Sequence, residues 1–132
     1  SDDAFNVAGH RLSTMEMESA VLECEGAAEA AVIGVPDPIK GEVPVVFVRL
    51  SGNNRNKEEL EKEIRASIEQ QIGKIALPKT VVFVEQLPKT VSGKIMRRLL
   101  KEIVVTGTVK GDITGLENPG AVEHIKEAVK NL

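Results

Sequence analysis

The pattern of apolar and polar positions predicts a chain that switches repeatedly between strands and helices. Short apolar runs bounded by glycine and proline indicate strands, and apolar residues recurring every three or four positions indicate helices. The pattern predicts a hairpin, a helix, two strands, a second helix, a third strand, a short basic helix and a last helix. These segments are, in order, 5–12, 14–24, 28–35, 43–50, 56–73, 81–84, 95–103 and the stretch that begins at 118.

Residues with known capping preferences mark several helix boundaries. Ser13 and Glu16 have the spacing of a capping box, which places the start of the first helix between them. Asn56 is predicted to cap the second helix. Asn118 is predicted to cap the last helix, with Pro119 in its first turn.

Helices alternate with too few strands for a doubly wound sheet, so the predicted fold class is α+β. We expect a small β-hairpin as an appendage, followed by a three-stranded sheet covered by helices. The 132 residues are a suitable length for one domain, although the pattern leaves the strand order open. The apolar runs are too short to span a bilayer, and no membrane partner is expected.

Composition excludes several classes of protein. Seventeen basic and 20 acidic residues give a net charge of -3, hydrophobic residues make up 42%, and three Phe are the only aromatic residues. This composition argues against a disordered chain and against a nucleic-acid module with stacking aromatics. The single cysteine, Cys24, excludes an internal disulfide and a cysteine metal cluster, so no metal site is predicted and a reducing, cytoplasmic location is expected. Cys24 falls on the apolar stripe of the first helix and is predicted to be a core residue.

The basic charge is concentrated in one short segment. Residues 86–101 carry five basic side chains and no acid, so the remainder of the chain carries -8. Ser92 and Gly93 give Lys94 an open approach, which would let it reach an anionic ligand, although a solvated lysine explains the same spacing. No phosphate loop of the G-x-x-x-x-G-K-[ST] type surrounds it. The other four basic residues of this segment are Lys89, Arg97, Arg98 and Lys101. We interpret the last three as a solvated helix face.

A second candidate site lies at the predicted hairpin tip. Gly9 would permit close approach of a ligand to the backbone, and Arg11 could bind a phosphate, although exposed turns carry such residues without any function. No Ser, Cys or carboxylate occurs at a spacing from His10 that would indicate a catalytic group, so His10 is not predicted to be a general base. His124 is predicted to be solvated.

Two stretches of the sequence resemble motifs of a known family. They are DDAFNVAGHRLST, followed by Met17 and Glu18, at the start of the chain, and LPKTVSGKIMRR at 87–98. Both resemble the C-terminal domain of AMP-forming acyl-CoA synthetases, which belong to the adenylate-forming superfamily. The residues GHRLST of the first motif and the tail ENPGAV at 117–122 are most similar to acetyl-CoA and propionyl-CoA synthetases. The resemblance covers nearly the whole chain.

The resemblance implies a single mobile C-terminal domain at 1–132 that begins at an interdomain hinge, where Asp2 matches the hinge residue. A large N-terminal domain, absent here, would bind most of the ATP, the Mg²⁺ and the acyl group. Lys94 matches the catalytic lysine of the adenylation step. After a domain rotation, Gly9, His10 and Arg11 would face the acyl-adenylate and CoA for thioester formation. The implied enzyme is an acid–thiol ligase, and the isolated domain is expected to be inactive.

The implied partners are ATP, a short-chain carboxylate, CoA, the N-terminal domain, and an acetyltransferase and deacetylase that act on Lys94. One position departs from the family pattern: Glu69 stands where an arginine for the CoA nucleotide phosphate is expected, and Lys74 or Arg65 could replace it. Two alternatives stay open. One is an adenylate-forming ligase with another chain length or acceptor, and the other is a non-catalytic anion-binding or interaction module that uses the segment 89–101.

Overall fold

The computed structural model describes residues 4–52, 55–111, 113–130 and 132. These ranges contain five strands, four α-helices and one short 3₁₀ helix. The strands are β1 (Ala4–Val7), β2 (His10–Ser13), β3 (Ala27–Asp37), β4 (Gly41–Leu50) and β5 (Thr80–Val84). The helices are α1 (Thr14–Leu22), α2 (Lys57–Gln71), α3 (Arg97–Thr106) and α4 (Gly120–Ala128), with the 3₁₀ helix at Lys74–Ala76.

Strand β4 is the centre of the sheet. It pairs with β3 in antiparallel orientation along its whole length. Its other edge pairs with β5 in parallel orientation from Val45 to Arg49, and with β1 at Gly41. The strand order is therefore β2-β1-β4-β3, with β5 also beside β4. This topology confirms the α+β fold class.

The hairpin β1–β2 is part of the sheet, and the prediction of an appendage beside a three-stranded sheet is wrong in this respect. Val7 pairs with Gly41, and the Ala8 N–H donates a hydrogen bond to Lys40 O at 2.8 Å. Phe5 and Leu12, which are opposite each other in the hairpin, are buried in the core. Burial of these apolar side chains draws the hairpin onto β4, so the sheet has five strands.

Helices cover both faces of the sheet because successive side chains of β4 alternate between them. Val46 and Val48 face the cluster that includes α1 and α2, whereas Val45 and Phe47 face the cluster that includes α3 and α4. The predicted apolar face of α2 is confirmed by three fully buried residues, Leu60, Ile64 and Ile68. None of the helices in the described ranges combines the length and apolar character needed to cross a membrane.

Strands β3 and β4 are longer than predicted. The predicted break after residue 35 is wrong, because β3 continues through Pro36 to Asp37. Since β3 is an edge strand, a proline there need not interrupt the pairing with β4. The Asp37 carboxylate accepts hydrogen bonds from the N–H groups of Ile39 and Lys40, at 3.1 and 2.9 Å, and these bonds lower the pKa of Asp37. They fix the turn that leads into β4.

The predicted starts of the first two helices are confirmed. The Ser13 hydroxyl accepts a hydrogen bond from the Glu16 N–H at 3.2 Å. Asn56 Oδ1 accepts one from the Glu59 N–H at 3.0 Å. Each bond satisfies a backbone donor that has no partner inside the helix.

Two other boundaries differ from the prediction. Helix α1 ends at Leu22, two residues before the predicted end. Helix α3 begins at Arg97 rather than at residue 95, because Ile95 forms a β-bridge with Lys89. The segment immediately before α3 is therefore extended.

Candidate functional site

Lys94 lies at the end of a tight turn. The Thr90 N–H donates to Lys94 O at 2.9 Å, and the Lys94 N–H donates to the Thr90 hydroxyl at 3.2 Å. Gly93 has a φ of +91°, a conformation that glycine adopts at little cost. The Lys94 side chain is exposed, and within the described ranges it has no ion pair or hydrogen bond. The turn thus presents a free cation on a well-defined backbone.

The amide side chain of Asn118 anchors the segment that leads into this turn. Its Oδ1 accepts a hydrogen bond from the Lys89 N–H at 3.1 Å, and its Nδ2 donates to Leu87 O at 2.9 Å. The prediction that Asn118 caps the last helix is wrong: α4 begins at Gly120 without a side-chain cap. The long-range pairing with residues 87–89 uses both hydrogen-bonding groups of the amide.

Glu29 provides a second anchor at the same position. Its carboxylate accepts hydrogen bonds from Arg49 Nε at 2.8 Å and from Lys89 Nζ. Burial raises the pKa of the Glu29 carboxyl, but the hydrogen bonds and charges of Lys89 and Arg49 outweigh burial and hold this pKa below its usual range. The ion pairs connect the Lys94 turn to β3 and β4.

Arg97 and Lys101 of α3 are paired, so their interpretation as a solvated face is wrong. Arg97 binds the carboxylate of Glu18 through two nitrogens at 2.6 Å each. Lys101 Nζ contacts Glu42 Oε2 at 2.9 Å. The partners are distant in sequence, which is why charge alone did not reveal them. The position of Glu18 on the same helical stripe as the apolar core residues was the available signal, since a buried carboxylate requires a partner.

The hairpin tip is a two-residue turn in which Ala8 and Gly9 have φ values of +50° and +85°. Two positive φ angles match the right-handed twist of the flanking strands. A Cβ placed on Gly9 would have no atom within 4 Å, so the backbone here is open to close approach. The exposed glycine lies where the sequence predicted it.

His10 and Arg11 point to opposite faces of the hairpin, because they are consecutive residues of β2. His10 pairs with Val7, and Arg11 pairs with Asn6. Both side chains are exposed, but a ligand group bound on one face meets only one of them. Asp2, the predicted hinge, lies outside the described residues.

The two candidate sites lie at opposite ends of the sheet. Ala8 contacts Lys40 at the start of β4, whereas Lys89 contacts the Glu29–Arg49 pair near its end. The stretch of β4 from 41 to 49 spans about 26 Å at roughly 3.3 Å per residue. The hairpin tip and the segment that leads into the Lys94 turn are therefore attached to different ends of β4.

Two other side chains with possible chemistry have structural contacts. Cys24 is 8% exposed, as predicted for a core residue, and burial raises the pKa of its thiol. His124 is half-buried, and its Nε2 accepts a hydrogen bond from the Glu85 N–H at 2.9 Å. The prediction that His124 is solvated is wrong, because α4 packs beside the end of β5. No cluster of three or more His, Cys, Asp or Glu that could hold a metal ion occurs in the described ranges.

The family model described as the AMP-binding enzyme C-terminal domain matches residues 16–94. The chain belongs to this family. The match ends at Lys94, the exposed lysine of the turn. The AMP-binding enzyme C-terminal domain is also the family to which the sequence resemblance pointed, so that expectation is confirmed.

Comparison with individual proteins supports the same family. The chain is 54% identical over 132 residues to an acetyl-coenzyme A synthetase from Pyrobaculum arsenaticum, a match that covers 100% of this chain and 20% of the relative. The crystal structure of a Brucella canis acyl-CoA synthetase matches with a TM-score of 0.71 and 40% identity, over 76% of this chain and 19% of that one. An anthranilate CoA ligase in complex with anthranoyl-AMP matches with a TM-score of 0.72 and 30% identity, over 80% and 20%. The chain thus spans about one fifth of the length of the proteins that it matches.

The two cations proposed to replace the arginine expected at Glu69 differ in their contacts. Glu69 is exposed on α2. Arg65 is occupied, because its Nε contacts Glu61 at 3.0 Å and its Nη1 donates to Pro78 O at 2.8 Å. Lys74 is exposed and, in the described part of the chain, makes no ion pair or hydrogen bond through its side chain. Of the two proposed substitutes for the arginine, Lys74 is the one that is free to bind an anion.

Proposed function

We propose that this chain is the mobile C-terminal domain of an AMP-forming short-chain acyl-CoA ligase. The single observation that carries the proposal is the placement of two exposed, chemically suitable tips at opposite ends of one sheet. A ligase of this kind joins a carboxylate to AMP and then transfers the acyl group to CoA. A domain with one tip for each half-reaction would serve both by rotating as a body between two poses.

Lys94 would act in the adenylation half-reaction. Its ammonium group would lie between the acyl carboxylate and the α-phosphate of ATP, where it would bring two anions together and stabilise charge as pyrophosphate leaves. A pair of unit charges at about 4 Å is worth about 4 kcal/mol at an effective dielectric constant of about 20. Loss of such a preorganised contact costs about 10² to 10³ in rate, so one lysine can control this step.

The hairpin tip would act in the thioester half-reaction. The open backbone at Gly9 leaves room for the pantetheine arm of CoA to approach. Arg11 is the exposed cation beside it and would bind phosphate on its own face of the hairpin, whereas His10 would face the other side. Lys74 would contact the CoA nucleotide in place of the arginine expected at Glu69.

The remaining components belong to the rest of the proposed enzyme. A large N-terminal domain would bind most of the ATP, the Mg²⁺ and the acyl group, and Asp2 would be the hinge that connects the domains. Acetate or propionate is the proposed acyl substrate, which is supported by the 54% identity to a protein named acetyl-coenzyme A synthetase. We also propose a cytoplasmic location and control by acetylation of Lys94, whose exposed side chain suits a modifying enzyme.

The test separates the two half-reactions in the full-length ligase. Lys94→Ala is expected to lower acetate-dependent pyrophosphate exchange by about 10² to 10³ while thioester formation from supplied acetyl-adenylate changes little. Arg98→Ala is the matched control, because Arg98 is also an exposed cation of this segment. Equal loss of both half-reactions, or of neither, would contradict the role of Lys94. Acetyl-CoA formation by the 132-residue chain alone would contradict its assignment as a dependent domain.

A further inference from the structure

We propose that Glu18 is a positioning residue for Lys94 and that it acts through Arg97 in the adenylation step. The inference rests on the proposed function, since it identifies what supports the lysine on which that function depends. Glu18 lies in α1 and is 7% exposed. Arg97 is the first residue of α3 and lies three positions after Lys94.

The Glu18 carboxylate holds Arg97 and a strand at the same time. Its Oε2 accepts hydrogen bonds from Arg97 Nε at 2.6 Å and from the Val32 N–H at 2.9 Å, and its Oε1 accepts one from Arg97 Nη2 at 2.6 Å. A bidentate arginine–carboxylate contact fixes both the distance and the plane of the guanidinium group. Three elements, α1, β3 and the start of α3, therefore meet at this carboxylate.

The Glu18–Arg97 contact supports the start of α3. The residue before the helix, Met96, provides no side-chain cap, and the first two helical residues are the cations Arg97 and Arg98. A helix N-terminus favours negative charge, so two cations there are unfavourable unless an acid lies nearby. Glu18 supplies that acid from another helix. Neutralising Glu18 would remove this negative charge from the first turn of α3.

No flexible joint separates Arg97 from Lys94. Ile95 is held in a β-bridge with Lys89, and the Met96 N–H donates to Pro88 O at 2.8 Å. A shift of Arg97 would therefore move the backbone of the lysine turn. Displacement of a catalytic group by about 1 Å can cost about 10² in rate, so a loosened anchor would reduce the adenylation step.

The hairpin tip would be spared by loss of the anchor. It is held separately, through the Val7–Gly41 pairing and the bond from the Ala8 N–H to Lys40 O. The ion pair between Lys101 and Glu42 offers a matched control, because it tethers the same helix one turn later, beyond the segment that joins α3 to Lys94.

The experiment uses the full-length ligase with Glu18→Gln, Lys94→Ala, the double variant, and Glu42→Gln as the control. We expect Glu18→Gln to lower the kcat of acetate-dependent pyrophosphate exchange by about 10-fold or more, with thioester formation from supplied acetyl-adenylate within about 3-fold of wild type. Glu42→Gln should leave both rates within about 3-fold. In the Lys94→Ala background, Glu18→Gln should cause no further loss, because a residue that acts only through Lys94 has nothing left to position.

Different results would overturn the role of Glu18 and the proposed function of Lys94. A further 10-fold loss in the Lys94→Ala background, equal loss of both half-reactions, or an unchanged rate would overturn the role of Glu18. If Lys94→Ala itself retains pyrophosphate exchange, the proposed function fails and the Glu18 role fails with it. Should Glu18→Gln not fold, Arg97→Lys keeps the charge and removes the bidentate contact, and the same pattern of rates is expected.

Discussion

The ring of Phe5 in β1 lies directly against the Cα of Gly34 in β3. A Cβ built on Gly34 would be 2.7 Å from both Cγ and Cδ2 of Phe5, closer than real Cβ contacts. Because Phe5 belongs to the hairpin, this close approach is one of the contacts that place the hairpin on the sheet. The glycine is needed for lack of a side chain and not for an unusual backbone angle.

Gly34→Ala is therefore expected to lower the free energy of unfolding by about 1 to 3 kcal/mol, the usual cost of overpacking a core. Chemical denaturation of the 132-residue chain measures the change. Gly115→Ala is the control, because a Cβ at Gly115 would have no neighbour within 4 Å and its φ is not positive. Equal effects of the two substitutions would contradict the steric explanation.

Gly9→Leu tests the hairpin tip in the proposed full-length ligase. We expect thioester formation to fall by about 10-fold or more, because the side chain would fill the space proposed for the pantetheine arm, while pyrophosphate exchange is retained. The backbone cost of a positive φ, about 1 to 2 kcal/mol, is matched by Gly52→Leu, since Gly52 has a φ of +84° and the same open surroundings. A similar loss of thioester formation in both variants would show that backbone strain, and not the tip, is responsible.

Glu29 makes stability depend on pH in the acidic range. Its folded-state pKa is lowered, so its contribution is fully present above the unfolded-state pKa and is lost as the pH falls through the folded-state pKa. The difference in unfolding free energy between wild type and Glu29→Gln should be up to about 1 kcal/mol near neutral pH, because the ion pairs are partly exposed and screened. It should vanish in acid. A difference that does not change with pH would contradict the ion-pair explanation.

Asn118→Ala is expected to loosen the segment before the Lys94 turn. The Lys89 N–H and the Leu87 carbonyl would both lose their partner, at a cost of about 1 to 3 kcal/mol. Amide hydrogen exchange at Lys89 should become faster. Asn118→Asp keeps the acceptor for the Lys89 N–H, so exchange there should remain close to wild type; equally fast exchange in both variants would argue against this hydrogen bond.

Local signals predicted the parts of the fold that depend on neighbouring residues. The S-x-x-E spacing at Ser13, the N-cap at Asn56 and the apolar stripe of α2 were all confirmed, because each reflects bonds or spacing within a few residues. The turn at Gly9 and the exposed turn at Lys94 were also found from local sequence. These positions require little knowledge of the rest of the chain.

The sequence could not reveal which distant groups meet. Arg97 looked like part of a solvated helix, and Asn118 looked like an N-cap, because their partners Glu18, Leu87 and Lys89 lie in other elements. The attachment of the hairpin to the sheet was likewise hidden, because it depends on the distant pairing of Val7 with Gly41. Pairing across the fold, and not local propensity, decides how the candidate site is supported.

Because side chains alternate in direction along β1 and β2, the two faces of the hairpin have different roles. Phe5 and Leu12 hold it in the core, while Asn6 and Arg11 share the outer face and contribute little to that packing. Substitutions on the outer face can therefore change the surface that the tip exposes without a large loss of stability. The chemistry of the exposed hairpin face can thus vary independently of the core that holds the hairpin in place.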